Sequence, residues 1–487
     1  MKTLYLCVVA ALAAGLIIFA DACTKTNPSL CCISELDCAA IGLPNGTNCD
    51  SGFTCAAHEC VAASCGLDVD CTDPLAPHCG DGLCRECAAT GQCGQTEPAC
   101  NLNTYACEAC SADGDCSAFS AAPFCGTTGA CVACTKNEQC AAAQPVCGDD
   151  NNCRLCEHDQ ECASGACDVN GTCVEPANVL YISPTGTDAG GCVQTQPCKT
   201  VQFVEGLATP ARFHIAFAPG MYNQTFGIQE KPTIAYHGNG AQLVTSAAQS
   251  APIRMSANKI FIFDFEVSSD ASVFNGNGGE LSMRHVNIVK STNVSSIGSV
   301  KFTWVDSIVS NFAGLRFESS PTTVTLRRLS FVAPTAVLET TDAIIALENL
   351  SIARPKGNIF NFARTTGSIR FTTIADTDVT VSVPHIVCAQ SPVAVSASII
   401  WAPRQPTIIN GNCVFSEQNI VGPTVSGSPA INVSNADPLF VDITNSNFRL
   451  QSTSPAIDKV DTGPATDIDG NPRPRGVKFD LGAYEAN

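Results

Sequence analysis

Residues 324–331 read Val-Thr-Leu-Arg-Arg-Leu-Ser-Phe, and this stretch contains the pattern that decides the fold. Apolar residues occupy its first, third, sixth and eighth positions, so one extra residue separates two short alternations. Alternation with period two predicts a strand with one buried face, and the extra residue predicts a bend. The stretch therefore predicts two short strands joined at a corner.

The same pattern recurs along the second half of the chain. Clear copies begin at Ile260, Leu281, Val324 and Ile345, and weaker copies begin at Val300, Ile369 and Val393, so the starts are 19–24 residues apart. A repeat of this length is typical of one coil of a parallel β-helix, whose coils stack about 4.8 Å apart. The predicted fold class is all-β, with a parallel β-helix preceded by a small disulfide-rich repeat array.

Both ends of this region resemble known β-helix proteins. Residues 180–188 and 197–202 resemble the opening of bacterial right-handed parallel β-helix proteins. The tail is similar, in order, to the C-terminal signature of a β-helix family called choice-of-anchor Q, through Asp437–Phe440, Phe448–Leu450, Ser454–Asp458, Asp467–Pro474 and Asp480–Glu485. The resemblance implies a right-handed β-helix in an exported bacterial protein, and it implies no particular reaction.

The N-terminus has the pattern of a signal peptide over residues 1–22. A charged start precedes an apolar run from Leu4 to Phe19 and a small-x-small triplet that ends at Ala22. Cys23 then becomes the first residue and resembles the lipid-modified cysteine of bacterial lipoproteins, although Asp21 departs from that pattern. Lipidation of Cys23 and free secretion both stay open. The expected location is the bacterial outer-membrane surface, the periplasm or the extracellular space.

Thirty-two cysteines in an exported chain predict disulfide bonds. Four-cysteine units begin at Cys65, Cys87, Cys110, Cys134 and Cys156, with a period of 22–24 residues. The units contain few large apolar residues, so covalent loop closure must replace a core. We expect two bridges per unit with open connectivity, and zinc bound by the Cys-x-x-Cys links is the less favoured alternative. Two further local disulfides are predicted, Cys192 with Cys198 and Cys388 with Cys413.

The net charge of −19 is unevenly distributed. Residues 23–176 contain 21 acidic and 4 basic residues, whereas residues 177–487 contain 23 and 21. Such acidity argues against nucleic acid or an anionic membrane surface as a partner and favours an acidic spacer. The predicted organisation is a signal peptide (1–22), an irregular cysteine-rich module (23–64), a repeat array (65–176), a β-helix (177–436) and a C-terminal cap motif (437–487).

Candidate functional residues come from the outward columns of the aligned coils. One column contains the second residue of each bend, Asp264, His285, Trp304, Arg328, Asn349 and Thr373; the adjacent one contains Arg284, Arg327 and Glu348, with Asp306 and Glu266 just beyond. An indole that stacks on a sugar ring and guanidinium groups that pair with carboxylates are typical of an acidic-sugar site. This predicts Trp304, Arg328 and Asp306 as ligand-binding residues. It makes Asp264, His285, Arg284, Arg327, Arg328 and Glu348 the catalytic candidates.

Three functions stay open at this point. The favoured one is binding of polysaccharide or another cell-surface partner; the others are a polysaccharide lyase or glycoside hydrolase, and a purely structural surface protein. An outward column of polar residues is also what a solvated face requires, so the column alone does not establish a site. Asp467 and Asp469 have the alternation of a calcium loop but lack its further acids, which favours a turn over a metal site. No other cofactor is predicted.

Overall fold

The computed structural model describes residues 53–56, 59–62, 65–227, 231–246, 251–256, 258–377, 383–403, 408–422 and 432–486. The predicted signal peptide and the lipidation site at Cys23 lie outside these residues. The chain divides between Arg154 and Leu155 into two compact units. The domain boundaries predicted at residues 64, 176 and 436 stay predictions.

The first unit is a series of small hairpin modules. Its antiparallel pairs are Phe53–Ala56 with Glu59–Ala62, His78–Gly80 with Leu83–Arg85, Ala99–Asn101 with Ala106–Glu108, Phe124–Cys125 with Cys131–Val132, and Val146–Cys147 with Cys153–Arg154. Short 3-10 helices lie at Asp68–Asp70, Asp113–Cys116 and Asn137–Gln139. Four of these hairpins, from His78–Gly80 onward, belong to four-cysteine modules. The fifth four-cysteine module, Cys156–Cys173, belongs to the second unit and has its 3-10 helix at Asp159–Glu161.

Each four-cysteine module has the same disulfide connectivity, first to third and second to fourth. The pairs are Cys65–Cys79, Cys71–Cys84, Cys87–Cys100, Cys93–Cys107, Cys110–Cys125, Cys116–Cys131, Cys134–Cys147, Cys140–Cys153, Cys156–Cys167 and Cys162–Cys173. The Cys-x-x-Cys links therefore join cysteines that belong to different disulfides, so these residues offer no thiolates for zinc. So many disulfides indicate an oxidising, extracytoplasmic environment.

A recurring polar side chain sets the turn of each module. Five residues after the first cysteine, a carboxylate or amide oxygen accepts two backbone N–H groups of the preceding turn. These residues are Asp70, Gln92, Asp115, Gln139 and Glu161. Such local side-chain bonds define turns where no core exists. Three residues after the first cysteine, Asp68, Asp113, Asn137 and Asp159 accept the N–H of the third cysteine.

The second unit is a parallel β-helix with three faces. The first face contains Val179–Ile182, His214–Phe217, Thr233–His237, Lys259–Phe263, Glu280–Arg284, the first halves of Lys301–Ser310, Thr322–Val332 and Ala343–Ala353, and then Thr366–Arg370, Val393–Ser396 and Val414–Phe415. The second face contains Gly220–Tyr222, Ala241–Thr245, Glu266–Ser269, Asn287–Ser291, the second halves of those three long strands, and then Thr373–Ala375, Ile399–Trp401, Asn419–Gly422 and Val433–Ser434. The third face contains Ile253–Ser256, Phe274–Asn277, Ser295–Ile297, Leu315–Phe317, Leu338–Thr341, Phe360–Ala363, Ile386–Ala389 and Ile409–Gly411.

Inward residues of the three faces form one continuous apolar core. The α-helix Val201–Leu207 covers the first coil and buries Val201 and Val204 in that core. Cys192 and Cys198 form a disulfide in the first coil, and Cys388 and Cys413 form one between neighbouring coils. A short 3-10 helix, Pro176–Asn178, precedes the first strand. Among the described residues, no helix has the length and apolarity needed to cross a membrane.

The predicted outward position of Trp304 is wrong. Its side chain is fully buried, and its strand register pairs it with Met283 and Leu326, which are also buried. The bend residue of this coil is Asp306, two positions later. The sequence pattern placed the bend of this coil two residues too early. The cause is Ser307, which occupies an inward position where the next coil has Leu329 and so interrupts the apolar pattern.

The C-terminal segment packs along the outer side of the second face. Its hairpin, Phe440–Asp442 with Asn447–Leu450, and the residues that follow form a second apolar cluster with Phe371, Ile399 and Trp401. Gly482 has φ 84° and donates its N–H to the carbonyl of Ala397. A Cβ at this position would lie 2.5 Å from Thr373 Oγ1, so only glycine fits this close approach.

Candidate functional site

A line of polar side chains follows the bend between the first and second faces. Asp264, His285, Asp306 and Arg328 occupy this bend in four successive coils, with φ values of 54°, 55°, 55° and 52°. Asp and His tolerate this left-handed conformation better than most residues, which explains why they recur there. Because coils stack about 4.8 Å apart, the four side chains lie in one column.

The fifth cysteine module covers one end of this column. The carboxylate of Asp264 lies 2.8 Å from Nδ1 of His158 and accepts the backbone N–H of Asp159 at 2.6 Å. Asp159 in turn lies 2.6 Å from Nδ1 of His237, and both side chains are completely buried. Asn239 adds a hydrogen bond to the carbonyl of Gly165. The module is therefore fixed to the β-helix by polar contacts.

The C-terminal segment covers the other end. Asn349, the bend residue that follows Arg328, donates to the carbonyl of Thr466 at 2.8 Å and accepts a hydrogen bond from Arg473. Arg473 pairs with Glu485 at 2.6 Å, and both side chains are buried. The stretch of the bend column from Asp264 to Arg328 consequently lies open between two walls.

The open stretch forms a groove of about 720 Å³. Its floor continues onto the outward side chains of the second face, Gln242, Glu266, Asn287, Ile308 and Ser330. His158 and Gln160 come from the cysteine module, and Asp469, Gly470 and Tyr484 come from the C-terminal segment. The groove is thus built from three separate parts of the second unit.

Two histidines and an aspartate meet at the end of the groove beside the cysteine module. The rings of His158 and His285 stack with centroids 4.1 Å apart, and Nδ1 of His285 lies 3.3 Å from Asp264 Oδ1. Burial alone raises the pKa of Asp264, but the contacts from His285, the Asp159 N–H and His158 outweigh burial and leave the pKa below its ordinary value of 3.8. Asp264 is therefore a carboxylate at neutral pH.

An ion pair occupies the middle of the groove. Asp306 accepts hydrogen bonds from both Nε and Nη2 of Arg328, the latter at 2.7 Å. This bidentate geometry fixes both side chains and neutralises the guanidinium charge. Arg328 is the single arginine or lysine among the described residues that line the groove. The groove therefore has no unpaired cationic side chain of this kind.

The structure separates the residues that the sequence proposed for the site. Asp264, His285, Asp306 and Arg328 come together in the groove. Arg284, Arg327 and Glu348 lie instead on the first face, where Arg327 and Glu348 are register partners on neighbouring coils. The guanidinium of Arg284 lies over the ring of Phe263 at 5.1 Å, close to Cys167. Trp304 belongs to the core and offers no ring to a ligand.

Asp467 and Asp469 organise a turn in the C-terminal wall. The buried carboxylate of Asp467 accepts the backbone N–H groups of Asp469, Asn471 and Glu485. The carboxylate of Asp469 pairs with Arg449 at 2.6 Å. Both carboxylates are engaged by protein donors, which supports the turn over a calcium ligand set.

Sequence reasoning missed His158 and the two walls of the groove. His158 stands two residues after the first cysteine of its module, where the other modules have Leu67, Ala89, Ala112 and Lys136. The signal that could have identified His158 is that only the last module has a histidine at this position. No comparable signal identified Gln160 or Tyr484, because their approach depends on packing between distant segments.

Comparison with known proteins adds little to this description. No protein-family model matches the chain. No curated protein matches it either. Among solved structures, the chain is similar to the crystal structure of pectate lyase Pel9A, with a TM-score of 0.32 and 12% sequence identity over 63% of this chain and 96% of that chain. This similarity is one of fold alone.

Proposed function

We propose that the groove binds an extended, uncharged polysaccharide on an exported, extracytoplasmic protein. The observation that carries the proposal is the open line of polar side chains from Asp264 to Arg328 between two walls. On this proposal the cysteine modules of the first unit serve as an acidic spacer, and lipidation of Cys23 is one way to anchor it. Membership of the choice-of-anchor Q family, based on the tail motifs, is part of the same proposal.

The charges of the groove favour a neutral glycan over an acidic one. Arg328 is already paired with Asp306, whereas Glu266 is exposed and accepts a hydrogen bond from the amide of Gln242 at 3.0 Å. A uronic acid carboxylate would therefore meet carboxylates without a free guanidinium to bind it. The proposal therefore differs from the sequence-based expectation of an acidic-sugar site.

The side chains of the groove also suit sugar hydroxyls. Fixed carboxylate, guanidinium and amide groups offer donors and acceptors in defined directions, and Asp306, Arg328 and Gln242 supply all three kinds. Ile308, 57% exposed, provides an apolar surface for the C–H face of a sugar ring. Because the column runs across coils, it fits a linear chain of several sugar residues better than a single sugar.

A matched pair of double variants tests this proposal. Asp306→Ala with Arg328→Ala removes the ion pair in the groove, and Asp342→Ala with Arg364→Ala removes a bidentate pair at a different bend. Both acids have φ 55°, and both pairs span 22 residues, so the backbone context is alike. Binding to soluble neutral and acidic polysaccharides is measured by affinity electrophoresis and calorimetry.

We expect the wild type to bind a neutral polysaccharide, the groove variant to lose at least tenfold in affinity, and the control variant to bind like the wild type. Equal binding by both variants, or binding to acidic glycans only, would contradict the proposal. Absence of binding throughout the panel would favour the purely structural surface protein.

Catalysis is the second candidate function. His285 lies between Asp264 and Asp306 on successive coils, so an imidazole and two carboxylates are available for acid–base chemistry. New reducing ends would identify a glycoside hydrolase, and unsaturated products would identify a lyase. A glycan that is bound and recovered intact supports binding without catalysis.

A further inference from the structure

We propose that His158, Asp264 and His285 form a binding site for one Zn²⁺ ion. Each side chain offers one ligand atom, and these atoms all lie within 4.8 Å of one another. Both Nδ1 atoms face the same carboxylate oxygen, Asp264 Oδ1, at 2.8 Å from His158 and 3.3 Å from His285. Tetrahedral zinc with bonds of about 2.0–2.2 Å separates its ligand atoms by roughly 3.3 Å, so small side-chain rotations close the cluster around an ion.

One of the proposed ligand atoms, Nδ1 of His285, makes no hydrogen bond. Nδ1 of His285 is buried, and it makes no hydrogen bond because its contact with Asp264 lacks the required geometry. A buried polar nitrogen that makes no hydrogen bond is unfavourable, and a metal ion would supply a stronger interaction than the 3.3 Å contact with Asp264.

The surroundings hold the ligands in place. The second oxygen of Asp264 accepts the N–H of Asp159 at 2.6 Å, which leaves the first oxygen for an ion. Asp159 is itself fixed by the N–H of Cys167, at 3.0 Å, and by His237. The carboxylate of Glu161 accepts the N–H of His158 and so fixes its backbone. Such outer contacts orient metal ligands and are a regular part of metal sites.

The ligand set favours zinc over calcium and magnesium. Two imidazoles and one carboxylate suit zinc, whereas calcium and magnesium prefer oxygen ligands alone. All three side chains also line the groove, so a fourth position would face it and be open to water or a sugar hydroxyl. The ion would join the cysteine module to the β-helix, and this role does not depend on the proposed glycan.

Zinc binding is tested on the full secreted chain without a histidine tag. The protein is stripped with a chelator, dialysed and titrated with Zn²⁺ alone, and bound metal is quantified by mass spectrometry. We expect one tightly bound ion per chain and at least a tenfold weaker affinity for His158→Asn and His285→Asn. The control is His78→Asn, because His78 forms a similar pair with Asp68 at 2.9 Å outside the cluster and should bind zinc like the wild type.

A measurement on the wild type keeps the test independent of variant folding. Co²⁺ replaces zinc and reports its ligands in the visible spectrum, so a four-coordinate site without a thiolate band is expected. An octahedral spectrum, a thiolate band, no bound ion, or equal affinity in His285→Asn and the wild type would each overturn the proposal. Circular dichroism of each variant verifies that lost binding is not lost folding.

Discussion

Asp264 and Asp342 show how the same backbone conformation acquires different roles. Their φ values are 54° and 55°, but Asp264 contacts the cysteine module, whereas Asp342 pairs with the exposed Arg364. A hydrogen bond to a buried charged group contributes about 1.5–3 kcal/mol. An exposed ion pair contributes little, because water and salt screen its charges. The surroundings of each aspartate therefore determine how much it contributes to the stability of the fold.

We predict that Asp264→Asn lowers the free energy of unfolding by about 1–3 kcal/mol, while Asp342→Asn leaves it nearly unchanged because solvent screens the exposed pair. The chain has two tryptophans, Trp304 and Trp401, and both are buried in the β-helix. Their fluorescence during denaturation in guanidinium chloride therefore reports this unit. Equal shifts for the two variants would contradict the assigned role of Asp264.

The lowered pKa of Asp264 predicts how stability depends on pH. Since the folded state lowers this pKa below 3.8, the unfolded state binds the proton more readily. The ionised Asp264 therefore contributes its full stabilisation of the folded state above pH 3.8. This stabilisation is lost as the pH falls through the pKa that Asp264 has in the folded protein. The wild type should lose stability below pH 3.8 more steeply than Asp264→Asn, measured by tryptophan fluorescence at each pH. Parallel curves would show that Asp264 does not titrate in this way.

Trp304 makes edge-on contacts with four buried phenylalanines, Phe274, Phe302, Phe312 and Phe331. We predict that Trp304→Ala destabilises the β-helix by about 3–5 kcal/mol, because a large cavity opens in the core. Trp304→Phe should lower the free energy of unfolding much less, and this variant should bind glycan with the affinity of the wild type. The measurement is denaturant unfolding followed by circular dichroism. Loss of glycan binding without loss of stability would instead indicate that the Trp304 side chain contacts the ligand.

At the scale of elements, alternation along each coil was enough to predict strands, bends and coil stacking. The prediction failed at Trp304 because a single inward serine, Ser307, interrupts the apolar pattern. Four groove residues were found because bends carry recognisable polar side chains. The walls were not found, since His158 meets Asp264 across 106 positions of sequence and Asn349 meets Thr466 across 117. Contacts between such distant segments leave no periodic signal.

The C-terminal segment contains a buried ion pair, Arg473 with Glu485, beside its apolar contacts with the second face. Removing one partner leaves a buried charge uncompensated and typically costs 3–5 kcal/mol, so Arg473→Met should release this segment from the second face. The control, Arg449→Met, breaks the more exposed pair with Asp469 and should cost about 1 kcal/mol or less. Hydrogen exchange over residues 437–486 measures the release. Unchanged protection in Arg473→Met would show that apolar packing alone holds the segment.

At the scale of the whole molecule, the two units are stabilised by different forces. In the first unit the clusters of buried residues consist mostly of cysteine and alanine, such as Cys110, Cys116 and Ala122, whereas the β-helix has a continuous apolar core. We therefore predict that a reducing agent unfolds the cysteine modules of the first unit, residues 65–154, while the β-helix keeps its strands. Each lost disulfide removes about 2–4 kcal/mol from a module that has little else to stabilise it. Limited proteolysis with mass spectrometry should show cleavage first within residues 65–154, while circular dichroism retains its strand signal. The unreduced protein is the control, and loss of strand signal in step with cleavage of the modules would show that the two units do not differ in this way.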